Sequence, residues 1–348
     1  MNEPTLAAET LEADDQRWLE AALKPRQLER IEALPVAASQ RRFYRVYFLG
    51  TDRTDRTARD AFSAGRAVLM RSPPTLERND AFQAMNGLFR GAGVAVPAIL
   101  AKEEHRGLFL LSDLGPRSLG DCYGTDEEGA AVNAAIDTLQ AIQGITDATL
   151  EPYTRDRLQM ELGIFEAYAA DRVLNTHLSA TLRTLFERLV DSALDQPQRC
   201  IHRDYHSLNL LWNDAALGVV DYQDALLGPH SYDAASLLHD CYHQFSAAAL
   251  ERYRDRARAT LAPTLATEDW QRQLEWMAIQ RQLKAVGIFL RLELRDGRDN
   301  HLHHVLPTLS KTQALARHYA ELEPLARWLE AQHAPMTEWL RARGERLR

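Results

Sequence analysis

The sequence predicts an α+β protein of two lobes, a small N-terminal one of mainly antiparallel strands (residues 1–112) and a large, mainly helical one (residues 113–348). Two observations carry this. Up to Ser112 the apolar residues gather in short runs rich in aromatic and β-branched side chains, as strands require. Beyond Asp113 they recur at helical spacing over long stretches. A chain of 348 residues is long enough to bury two cores.

The elements follow in order. RRFYRVYFL (41–49) and RAVLM (66–70) read as the two strands of a hairpin, and the segment 77–93 places Phe82, Met85 and Phe89 at helical spacing before a glycine stop. VAVPAIL (94–100) and GLFLLSDLG (107–115) are two further short strands, so the first lobe is expected to hold a sheet and one helix. In the second lobe amphipathic helices are expected at 126–144, 156–170, 177–195, 245–260, 267–295, 311–331 and 336–347. One strand-like interruption breaks this series, where NLLW and LGVVD flank the turn NDAA (213–216).

Composition removes several function classes. The net charge of −8 comes without any block of Lys or Arg that could neutralise a phosphate backbone, so no nucleic-acid partner is expected. Cys122, Cys200 and Cys241 lack CxxC spacing and read as buried thiols in a reducing compartment. The acidic N-terminal stretch has no export-signal pattern, and no run approaches the ~18 apolar residues of a membrane span. A cytoplasmic protein without a membrane partner is expected.

Residues 200–240 concentrate Asp and His between apolar runs, where unpaired charge is costly. His202, Asp204 and Asn209 form H-x-D-x-x-x-x-N, and Asp221 follows at the end of the strand-like LGVV. In kinase-type phosphoryl transfer an Asp accepts the proton of the acceptor hydroxyl, while an Asn and a second Asp hold Mg²⁺. The pattern therefore predicts Asp204 as the base and Asn209 and Asp221 as metal ligands, a hard-oxygen pair suited to Mg²⁺. His202 is expected to brace the catalytic loop. Asp224 reads equally as a second metal contact or a structural acid, and Asp233 as the cap of the helix that follows. His206, His230, His239 and His243 read as surface or packing residues.

IHRDYHSLNLLW (201–212) followed by GVVDYQDALLGPHSYDAASLL (218–238) resembles the aminoglycoside phosphotransferase and choline kinase-like group of small-molecule kinases. More narrowly, AASQRRFYRV (37–46), VLMRSPP (68–74), LFLLSDLG (108–115) and QLKAVGIFLRLELRDG (282–297) resemble the bacterial anomeric kinases of N-acetylmuramate and N-acetylglucosamine. These pieces span most of the chain. The resemblance implies a bilobal protein-kinase-like fold and ATP with Mg²⁺. It also implies transfer of phosphate to the C1 hydroxyl of an amino sugar in peptidoglycan recycling, the product passing to a uridylyltransferase. It places the adenine hinge at Leu111–Leu114, Asp113 included, mainly through backbone groups. Two features of the wider kinase pattern are missing. Met70 stands where the third strand carries lysine, with Arg71 beside it, and Ser39 with its neighbouring amides stands where a glycine-rich loop would cover the phosphates.

Lys284, Arg291 and Arg295 share one face of a helix otherwise apolar enough to be buried, so Arg291 in particular needs an anionic partner. Two partners are open. One is the acceptor, whose lactyl carboxylate in N-acetylmuramate suits a bidentate arginine, making Arg291 and Arg295 substrate-binding residues. The other is an internal acid such as Glu293 or Asp240. An aminoglycoside kinase, the alternative enzyme, should line its site with acids for a polycationic acceptor, and this helix is basic. A binding-only pseudokinase would not need Asp204, Asn209 and Asp221 together.

Overall fold

The computed structural model describes residues 11–35, 40–49 and 65–346, arranged as two compact units. The first comprises residues up to Pro116 together with Gly218–Gln223; the second comprises Arg117–Leu217 and Asp224 onward. The change of texture at 112 in the sequence thus falls just before the division between units. The return of 218–223 to the first unit carries no signal in the local pattern.

In the first unit a five-stranded antiparallel sheet runs in the order β1 (Gln27–Ala33), β2 (Arg42–Leu49), β3 (Arg66–Arg71), β5 (Leu108–Ser112), β4 (Ile99–Glu103). The expected hairpin is β2–β3, with Tyr44 opposite Leu69 and Val46 opposite Ala67. Alternation sends Tyr44, Val46, Phe48, Ala67, Leu69 and Leu110 to one face, where Leu19 and Leu23 of α1 (Ala13–Leu23) complete a core. Neither α1 nor β1 is among the elements read from the sequence, because charged residues (Asp14, Asp15, Arg17 and Glu20 in α1; Glu29, Arg30 and Glu32 in β1) interrupt their apolar pattern. On the other face α2 (Asn79–Gly91) packs Phe82 edge-on to Phe109 at 5.6 Å. The returning segment adds Tyr222, stacked on Phe82 at 5.6 Å, and the Asn86 amide donates to its hydroxyl at 2.6 Å.

The second unit is built around a 30-residue helix, α8 (Thr267–Asp296), buried along most of its length. It packs against α4 (Arg155–Phe165), α5 (Ala180–Leu194), α6 (Tyr232–Leu238) and α9 (Val305–Ala316), with α3 (Glu128–Gln143), α7 (Ala247–Leu261) and α10 (Glu323–Arg346) around them. At Gly287 the backbones of α8 and α4 come so close that a Cβ would lie 2.6 Å from the Phe165 amide nitrogen. Beyond Phe165 the helix widens into a π segment, Glu166–Val173. Strands β6 (Gln198–Ile201) and β9 (Leu226–Pro229) pair antiparallel. Strands β7 (Leu210–Asn213) and β8 (Ala216–Val219) are joined by Asp214 and Ala215, both with positive φ (53° and 56°), as a two-residue hairpin turn demands.

The C-terminal helices differ from expectation. The chain leaves the helix after Ala316, not near Pro335, because Glu275 of α8 accepts from the Tyr319 hydroxyl at 2.9 Å and pairs with His318 at 3.0 Å. Helix α10 then runs through Pro335 without a break. Among the described residues no helix is long and apolar enough to cross a membrane.

Candidate active site

The H-x-D-x-x-x-x-N loop leaves β6 and is held by two buried carboxylates from downstream. Asp233 accepts the amides of His202 (2.6 Å) and Arg203 (3.0 Å), and Asp240 accepts those of Ser207 (2.9 Å) and Tyr242 (2.9 Å). Both acids are excluded from solvent. The expectation that Asp233 caps a helix is corrected. Ser231 holds the N-cap position, and the Asp233 side chain reaches back to satisfy loop amides that no strand ladder supplies. Burial raises the Asp233 pKa, against the pull of His202, those amides and Arg281. Arg203 is fixed at φ 77°, a conformation costly for a side-chain-bearing residue and tolerated where surroundings over-determine it.

Within the loop the His206 amide and the Asn209 side-chain nitrogen both donate to the Asp204 carbonyl, at 3.0 and 2.9 Å. The nitrogen end of Asn209 is thereby committed to the loop. Burial alone would raise the Asp204 pKa; the charges of Lys284, His206, Arg203 and Arg281 outweigh it and bring it down to about 2. Behind Asp204 lies a second buried acid, Glu161, paired with both Lys284 and Arg203 at 3.0 Å and accepting from the Tyr153 hydroxyl. Burial pushes Glu161 up, and those two cations hold it below its ordinary range. Lys284 also donates to the Tyr232 hydroxyl at 3.3 Å, and Arg281 lies over the Tyr232 ring. Sequence reasoning missed Glu161, Arg203 and Arg281, whose partners come from distant elements.

His202 is fully buried, set edge-on to Tyr205 at 5.7 Å. Asp221 is exposed, at φ 65°, and accepts from the Gln223 amide at 2.8 Å. Leu111 lies in β5 opposite Val68 and is buried. Asp113 is paired with Arg45 (2.7 Å) and Arg66 (3.1 Å) and accepts the Gly115 amide at 2.8 Å, which fixes the chain after β5. Leu114 packs on Gly218, where a Cβ would meet it at 2.7 Å. Arg71 is taken up by Glu12 and Asp15 of the N-terminal segment, both at 2.8 Å. Ser39 lies outside the described residues.

The basic face of α8 divides. Lys284 joins the Asp204 cluster, whereas Arg295 is exposed and paired with Asp296 at 2.7 Å. Arg291 is half-buried, and its Nε has no hydrogen-bond partner among the described residues. The two acids that would have braced it are engaged elsewhere, Glu293 with Arg343 (2.7 Å) and Asp240 with the loop amides. Among the described residues no cluster of three or more His, Cys, Asp or Glu is arranged for a metal.

An antiparallel sheet unit, a helical unit and a braced H-x-D-x-x-x-x-N loop together define a phosphotransferase of the kinase type. Residues 30–276 match the phosphotransferase enzyme family, and the chain belongs to that family. It is 35% identical over 286 residues to the N-acetylmuramate/N-acetylglucosamine kinase of Pseudomonas aeruginosa, covering 79% of this chain and 80% of that one. It is 32% identical over 327 residues to the kinase of the same name from Neisseria meningitidis, covering 89% and 92%. Among solved structures it is similar in fold to choline kinase LicA from Streptococcus pneumoniae, with TM-score 0.59 and 11% identity over 86% of this chain and 97% of that one. It is likewise similar to ADP-bound aminoglycoside phosphotransferase APH(2'')-Ib, with TM-score 0.55 and 14% identity over 86% and 98%. The chain is an ATP-dependent phosphotransferase with a hydroxyl acceptor.

Proposed function

We propose that the chain phosphorylates the anomeric (C1) hydroxyl of N-acetylmuramate and N-acetylglucosamine with ATP, as a step of peptidoglycan recycling in the cytoplasm. The observation that carries the acceptor class is the sign of the charge around Asp204, where Arg203, Arg281 and Lys284 face two acids, Asp204 and Glu161. A polycationic aminoglycoside would be repelled there. A neutral or anionic amino sugar would not, and this agrees with the names of the relatives that match over most of their length.

In this reading Asp204 orients the C1 hydroxyl and accepts its proton, and His202 keeps the loop in register. Asn209 and Asp221 present oxygen donors that fit Mg²⁺, which when bound neutralises charge on the phosphates. The backbone of Leu111–Leu114 receives the adenine, and the Asp113 ion pairs hold that backbone still. Amides near Ser39 cover the phosphates. Arg71 joins them only by giving up Glu12 and Asp15. Arg291, and at longer reach Arg295, supply the cation for the lactyl carboxylate of N-acetylmuramate. The sugar 1-phosphate is then a substrate for a uridylyltransferase.

The test is ATP consumption with a panel of amino sugars and aminoglycosides, the phosphorylated position being read by ³¹P and ¹³C NMR. Transfer to C1 of either N-acetyl sugar is expected. Transfer to an aminoglycoside hydroxyl, or turnover of no sugar, would overturn the assignment.

A further inference from the structure

The rings of His206, Tyr242, Phe289, His301 and His304 form a continuous patch beside the catalytic loop. His206 meets Tyr242 edge-on at 5.2 Å, Tyr242 meets His304 at 4.8 Å and Phe289 at 6.1 Å, and His301 stacks on Phe289 at 5.3 Å. The patch is tied to the base through the His206 amide, which donates to the Asp204 carbonyl at 3.0 Å. Phe289 is the buried floor, and the other four rings are only half-buried. Neither the Tyr242 hydroxyl nor the His304 ring has a hydrogen-bond partner among the described residues.

Such a surface is unusual for packing, because among the described residues the Tyr242 hydroxyl and the His304 ring stay unpaired while the His301 and His206 rings meet only the side-chain nitrogens of Asn300 (3.3 Å) and Asn209 (3.5 Å). Burial lowers His301 and His304, the latter to about 4, so both are uncharged at neutral pH. Burial, then Cys241, Asp240 and Asp204, keeps the Tyr242 phenol protonated and able to donate. The nearby acid Asp240 is spent on two backbone amides. A pyranose presents the complementary surface, an apolar C–H face rimmed by hydroxyl groups that donate and accept.

We propose that this patch seats the pyranose ring of the acceptor, the Tyr242 ring lying against the sugar's apolar face and the edges of His301 and His304 bonding its hydroxyl groups. This deepens, and rests on, the reading of the chain as an amino-sugar kinase. His206, expected from the sequence to be a surface or packing residue, becomes the link between acceptor seat and base.

The experiment compares Tyr242→Leu, which keeps apolar bulk and loses the ring, with Tyr242→Phe, which keeps the ring. Tyr242→Leu should raise KM for N-acetylglucosamine and N-acetylmuramate alike by about tenfold while KM for ATP keeps the parent value. Tyr242→Phe should stay within about threefold of the parent, the loss of one neutral hydrogen bond. Should Tyr242→Leu fail to fold by its melting curve, His301→Leu takes its place and must show the same split. Parent-like KM for both sugars in a folded ring-less variant overturns the patch and leaves the kinase assignment standing. Saturation-transfer NMR with N-acetylglucosamine covers the opposite case. Binding that depends on Tyr242 without any turnover would sink the kinase reading and keep the patch, and absence of both binding and turnover would sink both.

Discussion

A general base works best when its pKa lies near the working pH, yet the cations around Asp204 bring it down to about 2. So acidic a carboxylate takes little of the proton in the transition state. That suits an acceptor whose own hydroxyl is acidic, as an anomeric one is, and a loose phosphoryl transfer in which the nucleophile is deprotonated late. Asp204→Asn should therefore lower kcat by only about 10²-fold, the small end for a general base, with KM for ATP and the circular dichroism spectrum unchanged. Turnover equal to the parent would remove Asp204 from the mechanism. The same cations fix the pH profile. They favour the ionised carboxylate, so kcat/KM should show no acid limb from Asp204 above about pH 4. Lys284→Met removes the largest of the opposing charges, which raises the Asp204 pKa and moves that limb toward neutrality. A profile that stays in place would mean that Arg203 and Arg281 suffice.

At the scale of elements, Gly287 sets how closely α8 can lie on α4. Its substitution by alanine would put a methyl group against the Phe165 and Ile164 backbones, which cannot swing aside as a side-chain tip could. Gly287→Ala should cost about 1–3 kcal/mol of stability, read as a fall in melting temperature. An unchanged melting curve would show that the helices can separate freely. Periodicity made other long helices legible, because α3, α5 and α7 each bury an amphipathic stripe. It failed between α9 and α10, where the break is imposed by Glu275, a partner some forty residues away in sequence. The site shows the same split. The spacing of His202, Asp204 and Asn209 is local and could be read, whereas Glu161, Arg203, Arg281 and the ring patch gain meaning only when separate elements converge.

For the molecule as a whole, each unit stands on its own core, and the first depends on a single short segment from far along the chain. Tyr222 fills the space between Phe82 and Phe89 and takes the Asn86 hydrogen bond, while the Val219 amide donates to the Ala95 carbonyl at 2.8 Å. Tyr222→Ala should destabilise the protein by about 3–5 kcal/mol, the range for a buried aromatic, with the denaturation midpoint as the measure. A shift under about 1 kcal/mol would show that the segment merely rests on the surface. The dependence has a further consequence for biosynthesis. A chain is made from its N-terminus, so the first unit must wait on the ribosome without the Tyr222 contacts to Phe82 and Phe89 until the whole catalytic loop has been translated. No one cut in the gene can separate the two units intact. Exchange of one unit between related enzymes would have to carry both the leading piece and its six-residue return, Gly218–Gln223, or leave the recipient with an open apolar wound.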